Sequence, residues 1–157
     1  VESLASHGWN RVVLVNGHGG NVDALREVCR TLVHTETAYA VPLTWFDAVA
    51  YDELTADIRM GHGGPVETSL LQYVRPDLVA ADRIDDAAAG ASEGWGEWRA
   101  GVNLAFDSAE FTENGVVGDP GEGSSELGEQ LLDNAATALA ALLAVIEDRD
   151  VSRPPHR

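Results

Sequence analysis

Lysine is absent: all ten basic residues are Arg, against 26 Asp plus Glu, for a formal net charge of −16 over 157 residues. Without Lys the chain cannot form a phosphate-binding Walker loop, whose Lys reaches the outer phosphates. A surface this acidic repels nucleic acid, whose binding rests on basic groups neutralising phosphates. It also repels anionic membranes, so neither partner is expected. Cysteine is almost missing too. A single Cys29 excludes an internal disulfide framework and fits a reducing compartment, so a cytoplasmic location is expected. No run approaches the roughly 20 apolar residues that cross a bilayer, and no basic stretch followed by an apolar one opens the sequence as in a signal peptide. A Gly-x-Ser-x-Gly elbow is also lacking, which leaves a serine hydrolase little support.

What is present suffices for one ordinary core, since apolar residues make up 45%. A single domain over 1–148 is expected, followed by a disordered tail over 149–157 that carries Pro154 and Pro155. The carboxylate excess has two readings: a solvated surface that maintains solubility, or adaptation to high salt, where a Debye length of about 3 Å at 1 M screens the repulsion. The second is the sharper expectation. Thermal stability should then rise steeply between dilute buffer and molar salt. A melting temperature flat across that range would leave only the solubility reading.

Local patterning predicts an α/β fold. Residues 1–7 read as the end of a helix stopped by Gly8, and 11–15 as a continuous apolar strand covered on both faces. After the loop at 16–21, Val22, Leu25, Val28, Cys29 and Leu32 recur at helical spacing, with Asn21 as a natural N-cap. Residues 39–46 read as a second strand, which completes a βαβ unit and hence a mainly parallel sheet flanked by helices. A short helix is expected over 65–74, begun by Pro65 and barred from extension by Pro76. Residues 85–101 read as an excursion loop, and 113–123 as a Gly-punctuated turn region. A long helix is expected over 126–147, with a stripe of Leu132, Ala135, Leu139, Leu142 and Ile146.

The loop Asn16-Gly17-His18-Gly19-Gly20-Asn21 is the most informative stretch. It follows a presumed parallel strand, at the sheet edge where ligands of open α/β folds bind. A dinucleotide fingerprint fails because Val22 takes the third Gly position; Glu36 lies at about the ribose-binding distance but precedes the second strand. Two readings stay open: a His presented to a metal or substrate, and a structural turn. His62-Gly63-Gly64-Pro65-Val66-Glu67 repeats the logic, with Glu67 in the first turn of a helix, where the dipole favours its ionised form. Glu67 could simply cap that helix. A second Gly-rich His elsewhere shifts the balance toward a metal site built from imidazole and carboxylate. Cys29 falls on an apolar stripe as a core residue, and His7 and His34 read as surface residues. Trp95 and Trp98 are read as packing or an oligomer contact in preference to a flap.

Together, Val13 to Asn21 and His62 to Ser69 closely resemble the strand-and-loop Asn-Gly-His-Gly-Gly-Asn element and the His-Ala-Gly-x-x-Glu-Thr-Ser signature of the creatininase (creatinine amidohydrolase) family, with Gly63 in place of Ala. Gly115-Val116-Val117-Gly118-Asp119-Pro120 is similar to a third, weaker element. The resemblance extends to about residue 147. It implies an α/β/α sandwich, frequent assembly as hexamers, and hydrolysis of a small or cyclic amide with two divalent metals, often zinc, manganese or iron. On that resemblance His18 would ligate a metal, His62 would protonate the leaving nitrogen, and Glu67 would serve as ligand or partner. The metals would supply hydroxide and polarise the carbonyl.

The chain also departs from the family pattern. Creatininase itself has Tyr and Glu where this loop has Gly19 and Gly20; the Tyr touches substrate and the Glu binds metal, so these positions would line the substrate and creatinine itself is disfavoured. The family's Glu-x-His pair, which precedes the first motif, occurs nowhere in this chain. The expectation is therefore the C-terminal portion of a member, with the N-terminal part missing. These 157 residues alone should bind metal weakly, hydrolyse nothing efficiently and tend to associate. The alternative is a non-catalytic binding or assembly module that retains the fold.

Overall fold

The computed structural model describes residues 1–54 and 58–152. It divides into two compact units, one of Val1–Val49 with Asn134–Arg157 and one of Ala50–Asp133.

The first unit begins with α1 (Glu2–Ala5), after which Gly8 at φ 90° releases the chain toward β1 (Arg11–Asn16). A 3-10 turn, Gly19–Asn21, leads into α2 (Val22–His34), and β2 (Tyr39–Thr44) follows. β1 and β2 pair in parallel from Arg11↔Tyr39 to Asn16↔Thr44. This is the βαβ unit of an α/β fold. Cys29 and Leu32 of α2 and Ala40 of β2 form a buried cluster, against which Val12 and Leu14 of β1 pack. Burial pushes the Cys29 thiol above its usual range, as befits a core residue. The strand is not covered along both faces. Val15 is 58% exposed, because α2 covers only the face that carries Val12 and Leu14. Val28 is exposed as well, at the rim of the helical stripe.

Pro42 sits inside β2 without breaking it. Tyr39 N–H donates to Asn10 at 2.8 Å, so by the two-residue alternation of a strand the amides of Val41 and Leu43 also face β1. Position 42 faces away. Pro42 therefore costs the ladder nothing and removes a donor from the open edge. The strand ends at Thr44, two residues short of the predicted limit, where Trp45–Ala48 turn into a 3-10 helix. Of the expected tail, Arg149 stacks over Tyr39 at 5.6 Å and its carbonyl accepts from Arg11 at 3.0 Å. Residues 153–157 lie outside the described residues, as does 55–57.

The second unit is built on α3 (Pro65–Val74), which occupies the predicted span with Pro65 in its first turn. Val66 and Ser69 of α3 and Leu131 of α5 (Ser125–Asp148) are fully buried. Each such apolar side chain contributes about 1.5–3 kcal/mol. Tyr73 OH donates to Glu129 at 3.3 Å, and that carboxylate pushes the phenol above its usual range. Residues 85–101 are more ordered than an excursion loop. α4 (Ile84–Ala89) fills the start, and a hairpin of β3 (Trp98–Arg99) and β4 (Val102–Asn103) follows. Its turn places Ala100 at φ 51° and Gly101 at φ 81°, the double left-handed pattern that matches strand twist. Ala at the first of these positions hid the signal, since Asn or Gly is usual there.

The apolar stripe of α5 differs from expectation at its start. Leu127 and Leu131 are buried there, while Leu132 is 40% exposed; Ile146 is buried as predicted. By length and mean hydropathy (1.3) this helix also meets the requirement for crossing a bilayer, contrary to the sequence reading. Its Ala-rich composition produces that value. Leu127, Leu131 and Ile146 engage the interiors of the units.

Candidate active site

In the first unit the candidate residues lie at the carboxyl end of β1. Asn16 is buried and its amide is fully used. Its Nδ2 donates to the His18 carbonyl at 2.8 Å and to Thr44 Oγ1 at 3.2 Å. Its Oδ1 accepts from His18 N–H at 3.2 Å and from Asn21 Nδ2 at 3.3 Å. Two donors and two acceptors exhaust what a side-chain amide offers. Asn16 thus clamps both backbone groups of His18 and ties the loop to the end of β2. Asn21 is drawn into this network and does not cap α2: its φ and ψ of −89° and −13° are helical, with no side-chain cap bond. The cap was predicted on residue type alone; the side chain instead turns its Nδ2 toward Asn16.

His18 itself is exposed and extended, at φ −141° and ψ 132°. Gly19 and Gly20 beside it are also exposed. A Cβ on residue 20 would lie 2.9 Å from His18 Nε2, so the bare backbone there makes room for the imidazole.

The second unit carries His62 just before α3 and Glu67 in the first turn of that helix. Gly63 N–H donates to Glu67 Oε2 at 2.5 Å, across the entry to α3. The carboxylate therefore reaches back past the N-cap Gly64 and ties down the residue next to His62; this contact is not the helix cap of the alternative reading. Gly63 has φ 58°, which strains any side-chain-bearing residue. His62 is exposed, but its backbone is not loose. His62 N–H donates to Val117 at 3.0 Å and its carbonyl accepts from Val117 at 2.8 Å. On the other side of the same segment, Ser92 N–H donates to Val116 at 3.0 Å, and Gly118 N–H donates to Ser92 at 2.8 Å. Val117, 3% exposed, is the shared partner. The weak Gly115 to Pro120 element is thus the backbone template for His62. Ser69, at the end of the motif, is also buried. Its hydroxyl donates to the Pro65 carbonyl at 2.6 Å and accepts from Ser124 N–H at 3.0 Å, linking α3 to the approach to α5. The His62 ring faces Trp95, with centroids 6.1 Å apart.

The structure thus brings His62 and Glu67 together through Gly63, and groups His18, Gly19 and Gly20 around Asn16. Asn16, Val117, Ser69 and Trp95 were not singled out from sequence as site residues. The Asn at the strand end before Gly17-His18 was the one available signal.

The donor set is short for a metal. Among the described residues no group of three or more His, Cys, Asp or Glu could hold an ion. A catalytic zinc takes three protein ligands. The residues present therefore do not by themselves fit the dinuclear centre that the resemblance implies.

The chain is similar to one family model and to three known proteins of stated activity or metal content. The family model described as "Creatininase: Creatinine amidohydrolase" matches residues 1–143. The mycofactocin precursor peptide peptidase of Mycolicibacterium smegmatis is 33% identical over 129 residues, which are 81% of this chain and 46% of that protein. A mutant creatininase of Zn-Zn type has a TM-score of 0.66 and 27% identity, over 94% of this chain and 59% of its own. A manganese creatininase has a TM-score of 0.64 and 27% identity, over 94% of this chain and 60% of its own. The chain spans less than half the length of the peptidase and about three fifths of each solved chain.

Proposed function

The chain belongs to the creatininase family, and from that premise we propose that it carries part of the active site of a metal-dependent amidohydrolase. The substrate is a small or cyclic amide, or a peptide amide, other than creatinine. One observation supports this most: His18 and His62 both stand exposed on loops whose backbones are pinned by buried partners, Asn16 and Val117. Held in this way, His62 is the proton donor to the departing nitrogen, and the Glu67–Gly63 contact fixes the turn that presents it. His18 offers an imidazole nitrogen to a cation. The protein acts in the cytoplasm as a homo-oligomer. Its acidic surface suits a saline environment.

The short donor set favours a second reading, a module that retains the fold and binds no metal. Elemental analysis of extensively dialysed protein, made as its cell makes it, separates the two. The hydrolase should retain zinc, manganese or iron, lose much of it on His18→Ala, and turn over at least one member of a panel of lactams, small amides and peptides. Protein that holds no transition metal and cleaves nothing in that panel would establish the module.

A further inference from the structure

His62 and Trp95 hang from the same strip of backbone. Val117 exchanges both its N–H and its carbonyl with His62, while Ser92 is bonded to Val116 and Gly118 on either side of it. Three residues beyond Ser92 the chain reaches Trp95. Its indole lies 6.1 Å from the imidazole, centroid to centroid, at an interplanar angle of 57°. That falls within the 4.5–7 Å range of favourable ring pairs. The indole also adjoins Phe111 at 6.3 Å and 59°. The segment is braced as well. The Trp95 carbonyl accepts from Trp98 Nε1 at 2.6 Å and from Asn103 Nδ2 at 3.4 Å. Trp98 and Asn103 are themselves paired across the β3–β4 hairpin. The hairpin holds the Trp95 backbone and Phe111 adjoins its ring, yet the residue is still 44% exposed.

We propose that Trp95 is a positioning residue for His62: its indole restricts the imidazole to one orientation, the one from which the proton is delivered to the leaving nitrogen. This rests on the hydrolase reading above. An exposed imidazole rotates about two bonds, and each rotation moves the ring nitrogens by more than the tolerance of proton transfer. An adjoining indole, itself in contact with Phe111, narrows that freedom without touching the proton.

The test uses the protein as its cell makes it, with Trp95→Ala and Trp95→Phe. Carbon-13 labelled histidine gives His62 ring signals, assigned with His62→Gln. In the parent these signals should be displaced by the indole ring current, and in Trp95→Ala they should move to the position of an exposed histidine. Activity should fall in kcat by about tenfold or more for Trp95→Ala, with KM changed by less than about threefold. Trp95→Phe, which keeps a ring against Phe111, should retain most of both readouts. His62 signals unmoved in a folded Trp95→Ala would overturn the proposal, as would an unchanged kcat in a parent that is active. Should His62→Gln leave turnover intact, the role given to His62 falls, and with it the catalytic part of this proposal. The ring signals would then show a structural contact only.

Discussion

His62→Ala is expected to lower amide turnover by about 10²–10⁴-fold, the usual contribution of a positioned general acid. The loss should fall on kcat and on kcat/KM alike, because the proton moves only as the C–N bond breaks. The fold should tolerate the change. The imidazole is exposed, and what ties residue 62 to Val117 is backbone, which alanine keeps. A substrate whose leaving nitrogen is attached to an electron-withdrawing group departs with less help, so the variant should be partly rescued on an anilide of low leaving-group pKa. Equal losses on good and poor leaving groups would move His62 from proton donor to some other duty. An unfolded variant would show that the loop needs the ring for its structure.

Gly61→Ala should unfold the second unit at distinctly lower denaturant. A Cβ at position 61 would stand 1.9 Å from the Val117 carbonyl oxygen and 2.9 Å from its carbon. Neither atom belongs to a flexible side chain. Relief means displacing backbone that carries the 3.0 and 2.8 Å bonds between His62 and Val117, so the chain loses both bonds or bears the overlap. Overpacking of this kind costs about 1–3 kcal/mol or more, which at an ordinary urea dependence lowers the midpoint by roughly 0.5–2 M. Gly94→Ala is the control: a Cβ there meets nothing within 4 Å, and the change should stay within about 0.5 kcal/mol. If the two variants unfold at the same urea concentration, Val117 is not pressed against residue 61 in solution.

Much of the fold could be read from local chemistry. Pro65 and Pro76 mark the ends of α3, because one fits a first helical turn and the other forbids continuation. The apolar runs at 11–15 and from Tyr39 announce the parallel pair. Less could be read where two local preferences compete. Asn21 is an acceptable cap and an acceptable partner for Asn16, and only the folded loop decides between them. In α5, Leu131 and Leu132 are identical in type, and which of them faces the core depends on where α3 lies. The candidate site shows the same division. His18 and His62 stood out because glycine surrounds them. Val117 could not, since its part is played by its peptide groups, which every residue has. Trp95 could not either, because its neighbour in space lies 33 positions away and shares no periodicity with it.

Pro42 gives the small sheet a valency. A parallel pair has two outer edges, and in principle either can accept another strand. Along β2, the amide that a newcomer would meet at position 42 has been replaced by a ring carbon, while β1 keeps its full row of donors and acceptors. Growth of the sheet is thereby directional: a further strand, from this chain or from another copy, finds a complete template beside β1 and a defective one beside β2. One proline thus decides on which flank of the βαβ unit the rest of the architecture can be assembled.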